Sequence, residues 1–157
     1  MSGGHDRSAM ATGVLSAGDL LALTVRLHGI ALGRPVDVFL DRGDLRAVGL
    51  DVLCGDDERR FLPLAAATLG SSEIAISSPF VLLEEAQLDF YRSRSFSLSA
   101  IRGRPVRRRD QDVGRLKDVR LNADFTPASV VVEVEGVERE LSFDGSIRFD
   151  PRSRSAA

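Results

Sequence analysis

A short β-unit is written twice in this sequence. The clearer version spans Gly103–Arg120, with Gly103-Arg104-Pro105-Val106 as a short strand and Asp110-Gln111-Asp112 as a turn. A longer strand, Val113–Asn122, follows, and its imperfect alternation predicts a bulge near Gly114. A weaker version opens at Gly33-Arg34-Pro35-Val36 and runs to Asp51-Val52. Turn residues punctuate the rest: Asp41-Arg42-Gly43-Asp44, Gly55-Asp56-Asp57, Gly70-Ser71-Ser72, Gly136 and Asp144-Gly145. Short runs between such turns build small barrels or sandwiches. Two small units packed together bury more than either alone.

The expected fold is therefore all-β: two small barrel-like units in tandem, joined by a bridge with one short helix. A mobile tail is expected over residues 1–17, a first unit over 18–78, the bridge over 79–95, a second unit over 96–151 and a polar tail over 152–157. Ser16-Ala17-Gly18-Asp19 opens a helical turn over Leu20-Leu21-Ala22, and Thr24–Ile30 reads as a strand. In the bridge, Phe80-Val81-Leu82-Leu83 fits strand or helix, while Glu84–Arg94 reads as a helix with Arg92 and Arg94 near its C-terminus. Leu88 with Tyr91, or Ala86 with Phe90, would face inward. Phe96–Ile101 reads as the first strand of the second unit, and Ser129–Glu135 with Val137–Phe143 as a hairpin around Gly136.

Composition excludes several classes. The net charge of −2 exerts no general pull on nucleic acid or anionic membranes. The most apolar early stretch, Val14–Val25, is short and holds Asp19, so no transmembrane segment is expected. Residues 1–12 lack a signal-peptide pattern, and a cytoplasmic location follows. The single cysteine, Cys54, reads as a small core residue.

The second unit resembles the PRC-barrel family, the small β-barrel of the photosynthetic reaction-centre H subunit and of the C-terminal half of RimM. The resemblance rests on Gly103-x-Pro105-Val106, Asp112-Val113-Gly114-Arg115-Leu116-Lys117-Asp118-Val119, the hairpin Val130–Glu133 to Glu140–Phe143, and Ile147-x-Phe149. It covers Phe96–Pro151, and Thr24–Ser78 looks like a degenerate second copy. The resemblance implies an adaptor or assembly module. A barrel stands where a maturation factor carries its other domain, which weakens a ribosomal role.

No catalytic, cofactor-binding or metal-ligating set is expected. Asp51 and Asp118, which recur between the copies, read as carboxylates accepting backbone N–H bonds. His5, His28 and Cys54 lack zinc spacing, and Asp56-Asp57-Glu58 lacks the alternation of a calcium loop. Phe80, Leu83, Phe90 and Tyr91 form the densest apolar stretch and are the expected partner-binding residues, for another protein or a second copy. The alternative is an RNA- or ribosome-associated factor whose Arg102, Arg104, Arg107, Arg108 and Arg109 contact phosphates. No aromatic side chains interleave with those arginines to stack bases. A small-molecule sensor with a pocket between the barrels is a third class.

Overall fold

The computed structural model describes residues 15–149. The expected signal-free start, His5 and the C-terminal tail lie outside them, as do the side chains of Ala86 and Leu88. The fold is mostly β. In the first sheet the order is β5 (Arg59–Pro63), β4 (Ala47–Cys54), β3 (Ile30–Asp41), β2 (Thr24–Leu27), β7 (Glu73–Ile76), β6 (Thr68–Leu69). In the second it is β12 (Val137–Ser142), β11 (Pro127–Val134), β10 (Gln111–Leu121), β9 (Pro105–Arg108), β13 (Ile147–Phe149).

The remaining two strands are exchanged. β1 (Leu15–Ser16) pairs with β10 of the second sheet, and β8 (Ser95–Ser97) pairs with β3 of the first. This corrects two expectations. Leu15 and Ala17 are buried rather than part of a tail, and Phe96 belongs to the first sheet. Only Ser95–Ser97 is strand there; Leu98–Ile101 turns into a short helix, α2. The bridge helix, α1 (Glu85–Arg94), forms as expected.

Pairing in the first sheet recurs 81 residues later in the second, as from Asp37 to Asp118. Val25 opposite Gly33 becomes Val106 opposite Gly114, and Leu27 opposite Ile30 becomes Arg108 opposite Gln111. Both hairpins close through two residues with positive φ, His28 (51°) and Gly29 (83°), then Arg109 (51°) and Asp110 (69°). That pair of conformations suits the right-handed twist of the flanking strands. Register shifts fall between Pro35 and Asp37 and again between Leu116 and Asp118. The element that recurs is thus Gly33-Arg34-x-x-Asp37-Val38-x-Leu40 and Gly114-Arg115-x-x-Asp118-Val119-x-Leu121. The two Gly-Arg-Pro-Val strings do not correspond: one lies inside β3 and the other leads into β9. The sheets differ at one margin, where β7 runs parallel to β2 but β13 antiparallel to β9.

The exchange is fastened by matching carboxylates. Asp118 Oδ1 accepts the Gly18 N–H at 3.0 Å, at the start of the 3-10 turn Ala17–Ala22 that follows β1. Asp37 Oδ1 accepts the Ser99 N–H at 3.1 Å, in α2 after β8. Each also takes the next N–H of its own strand, Val119 and Val38. Asp118 therefore behaves as a backbone acceptor, but its counterpart is Asp37, not Asp51. Replacing either Asp37 or Asp118 by alanine leaves amides unpaired and is expected to cost about 1–3 kcal/mol. Urea unfolding checks this, and a change below the error of the extrapolation would contradict it.

One core joins the sheets. Leu20, Val25, Leu40, Leu50 and Ile74 cluster with Leu98, Ile101, Leu116, Val119 and Val130. A second, smaller cluster, Phe39 and Phe61, lies apart from this core, with Val48, Leu83 and Tyr91 against it. Across the first sheet Asp37, Asp51 and Phe61 stand opposite one another; across the second the same row reads Asp118, Val131, Glu140. Phe39 is likewise matched by Arg120. Aromatic residues thus recruit a cover over the first sheet, whereas Glu140 bonds Ser129 and Arg120 on the second.

Candidate functional site

The cover is the segment from Pro79 to Arg94. Ser78 Oγ accepts the Phe80 N–H at 3.1 Å and starts a 3-10 turn, Pro79–Val81, with proline suitably placed at its beginning. Leu83 then pairs with β5: its N–H donates to Phe61 O at 2.8 Å and its carbonyl accepts from Phe61 N at 2.9 Å. The Glu84 N–H donates to Gln87 Oε1 at 3.0 Å and opens α1. One turn before the end of α1, Tyr91 stacks on Phe61 with centroids 4.0 Å apart.

Leu83 and Tyr91 are therefore holdfasts. Phe80 and Phe90 project outward, 89% and 52% exposed. Phe90 meets Tyr91 edge-on at 5.3 Å and carries the Arg94 guanidinium 4.4 Å above its ring. Beside Phe80 runs a groove of about 450 Å³, with Ala31 and Leu32 among its lining and Pro79 and Leu82 from the cover itself. The four expected partner-binding residues thus split into two that fix the segment and two that it displays.

The expected phosphate contacts do not form one surface. Arg102 donates to the Lys117 carbonyl and lies 3.5 Å from Asp118. Arg104 reaches back to the Ala100 carbonyl. Arg107 and Arg108 are consecutive on β9, so they face opposite ways, and Arg108 shares its side with buried Val106. Arg109 sits at the hairpin turn.

A polar recess of about 380 Å³ opens beside the cover, where β3, β8 and α1 meet. Asp51, only 2% exposed, lies at its floor. Arg59 grips it with two bonds, Nε to Oδ1 at 2.9 Å and Nη2 to Oδ2 at 2.6 Å, and Arg92 Nη2 stands 3.8 Å away. The Asp51 carboxylate holds the Arg59 guanidinium still more firmly protonated than usual. Arg42 lies across the Phe96 ring, 4.7 Å from its centroid. Asp51 is thus an arginine partner, not a backbone acceptor. Its signal was present in the sequence: a carboxylate inside an apolar strand requires a cation, and Arg59 faces it across the Gly55 turn.

Among the described residues no helix is long and apolar enough to cross a membrane. A scan against known protein families matches none, and no curated protein matches the chain.

Proposed function

We propose that this chain is a non-enzymatic adaptor that docks a protein partner on Phe80 and Phe90. The carrying observation is the division of labour within one segment: Leu83 and Tyr91 bind it to Phe61, while two phenylalanines are displayed to solvent. Two phenylalanines displayed to solvent, the first next to Pro79 at a groove that Leu32 and Leu82 line together with the Asp56–Arg60 pair, suit an apolar stretch of another protein. On this reading the body behind the segment is a pair of PRC-barrel-like modules. The recurrence of pairing and register shifts at 81 residues supports that kinship.

The test is affinity capture at native abundance, comparing the natural chain with Phe80→Ser and Phe90→Ser. Burying a phenylalanine contributes about 1.5–3 kcal/mol, so each change should weaken capture by roughly tenfold or more. Sedimentation of the purified chain distinguishes a second copy from a different protein. An unchanged set of captured proteins, from variants that keep their fold, would show that the interface lies elsewhere. The RNA-associated reading has no comparable observation, because its arginines are spread over different faces.

A further inference from the structure

We infer that the recess floored by Asp51 is a binding site for an oxyanion, a carboxylate or a phosphate. Its lining brings together Arg42, Arg59 and Arg92 against only two carboxylates, Asp37 and Asp51. Asp37 is occupied: its oxygens take the Val38 and Ser99 amides and the Ser99 hydroxyl. Asp51 is shared between Arg59 and Arg92, and Arg92 also pairs with Asp89 at 3.2 Å. Among the described residues Arg42 has no carboxylate within ion-pair distance, and its guanidinium carbon stands 4.7 Å from the centroid of the Phe96 ring.

The second sheet supplies an internal comparison. At the matching place lies a recess of about 490 Å³, lined by Ser16, Asp118, Arg120, Val131 and Glu138 where the first has Ser97, Asp37, Phe39, Asp51 and Arg59. Three of its four lining cations hold carboxylates, and the fourth, Arg115, donates to the Gly103 carbonyl. Arg102 pairs with Asp118 at 3.5 Å, Lys117 with Glu133 at 3.6 Å and Arg120 with Glu140 at 3.5 Å. Both linings thus hold one more cation than carboxylate, and the recesses differ in how the cations are held: the first has the buried carboxylate Asp51 where the second has Val131. A buried carboxylate holding two arginines in place is how a scaffold pre-orients donors for an incoming anion. The site stands on its own residues and does not depend on Phe80 or Phe90.

The experiment is an NMR titration of the full chain with inorganic phosphate and, separately, acetate, at constant ionic strength held with chloride. Saturable shifts are expected at the Arg42 and Arg92 side-chain N–H groups and the Ser97 amide. The anion that binds more tightly identifies the source: phosphate points to a phosphoryl-bearing ligand, acetate to a carboxylate-bearing one. Arg42→Gln should weaken binding about tenfold, the order of one charge-assisted hydrogen bond. Arg92→Gln should act in the same direction, and Arg120→Gln in the second recess should leave binding unchanged. Phe80→Ser should bind phosphate as the natural chain does, which separates this site from the docking surface. Shifts that never saturate with either anion, or affinities unaffected by both Arg42→Gln and Arg92→Gln, would overturn the assignment.

Discussion

Phe61→Ala is expected to destabilise the protein by about 3–5 kcal/mol. The ring is fully buried, sits 5.7 Å from Phe39 and 4.0 Å from Tyr91, and rests against Gly49, where no Cβ could fit. Its removal leaves a void that β4 and α1 cannot both close. It also takes away the surface on which the segment from Pro79 to Arg94 lies, so under the proposed function docking weakens with it. Tyr91 is the only tyrosine and the chain has no tryptophan, so near-ultraviolet circular dichroism at tyrosine wavelengths reports this stack directly. The variant should lose that signal and melt roughly 10 °C lower. Phe61→Leu, which keeps more of the volume, should fall between. A variant that retains both the tyrosine signal and the melting temperature would contradict this packing.

Gly114→Ala should cost roughly 2–4 kcal/mol, through backbone strain and overpacking together. The residue has φ +127° beside a register shift, and an added Cβ would lie 2.8 Å from Val134 Cγ2 and 2.9 Å from the Glu133 carbonyl. Its counterpart Gly33 has ordinary φ, yet a Cβ there would come within 2.5 Å of the Leu53 carbonyl. Gly103 provides the control. Its φ is +86° but nothing lies within 4 Å, so Gly103→Ala should show strain alone, about 1 kcal/mol. Equal effects at Gly103 and Gly114 in chemical denaturation would mean that close approach contributes nothing.

These two sites show what was legible in the sequence. Turn residues bracket β4 and precede β7, and alternation locates β10 and the β11–β12 hairpin with a bulge near Gly114. Partner choice was not legible, because alternation says which residues share a face but not which strand lies alongside. Ser95–Ser97 therefore read as part of the second unit although its hydrogen bonds go to β3. The hairpin turns His28-Gly29 and Arg109-Asp110 lack the usual asparagine–glycine signature, so the twofold pattern read out of phase at Gly-Arg-Pro-Val. At the candidate sites, the apolar run Phe80–Leu83 was visible in one dimension. Its sorting into holdfasts and displayed rings depends on Phe61, a residue about twenty positions away in sequence. The arginine recess draws on β3, β4, β5, β8 and α1, and only the Asp51–Arg59 link is local.

Both proposed sites require a rigid body behind them, and that rigidity follows from the exchanged strands and the shared core. Native-state hydrogen exchange tests it most directly, by comparing Val38 and Leu50 in the first sheet with Val119 and Val130 in the second. If the two sheets form one cooperative unit, these amides exchange with the same free energy, equal to that of global unfolding, and Leu116→Ala, a core change that touches none of their acceptor side chains, lowers all of them together. If either sheet opens while the other stays protected, the interlocked body described here is wrong.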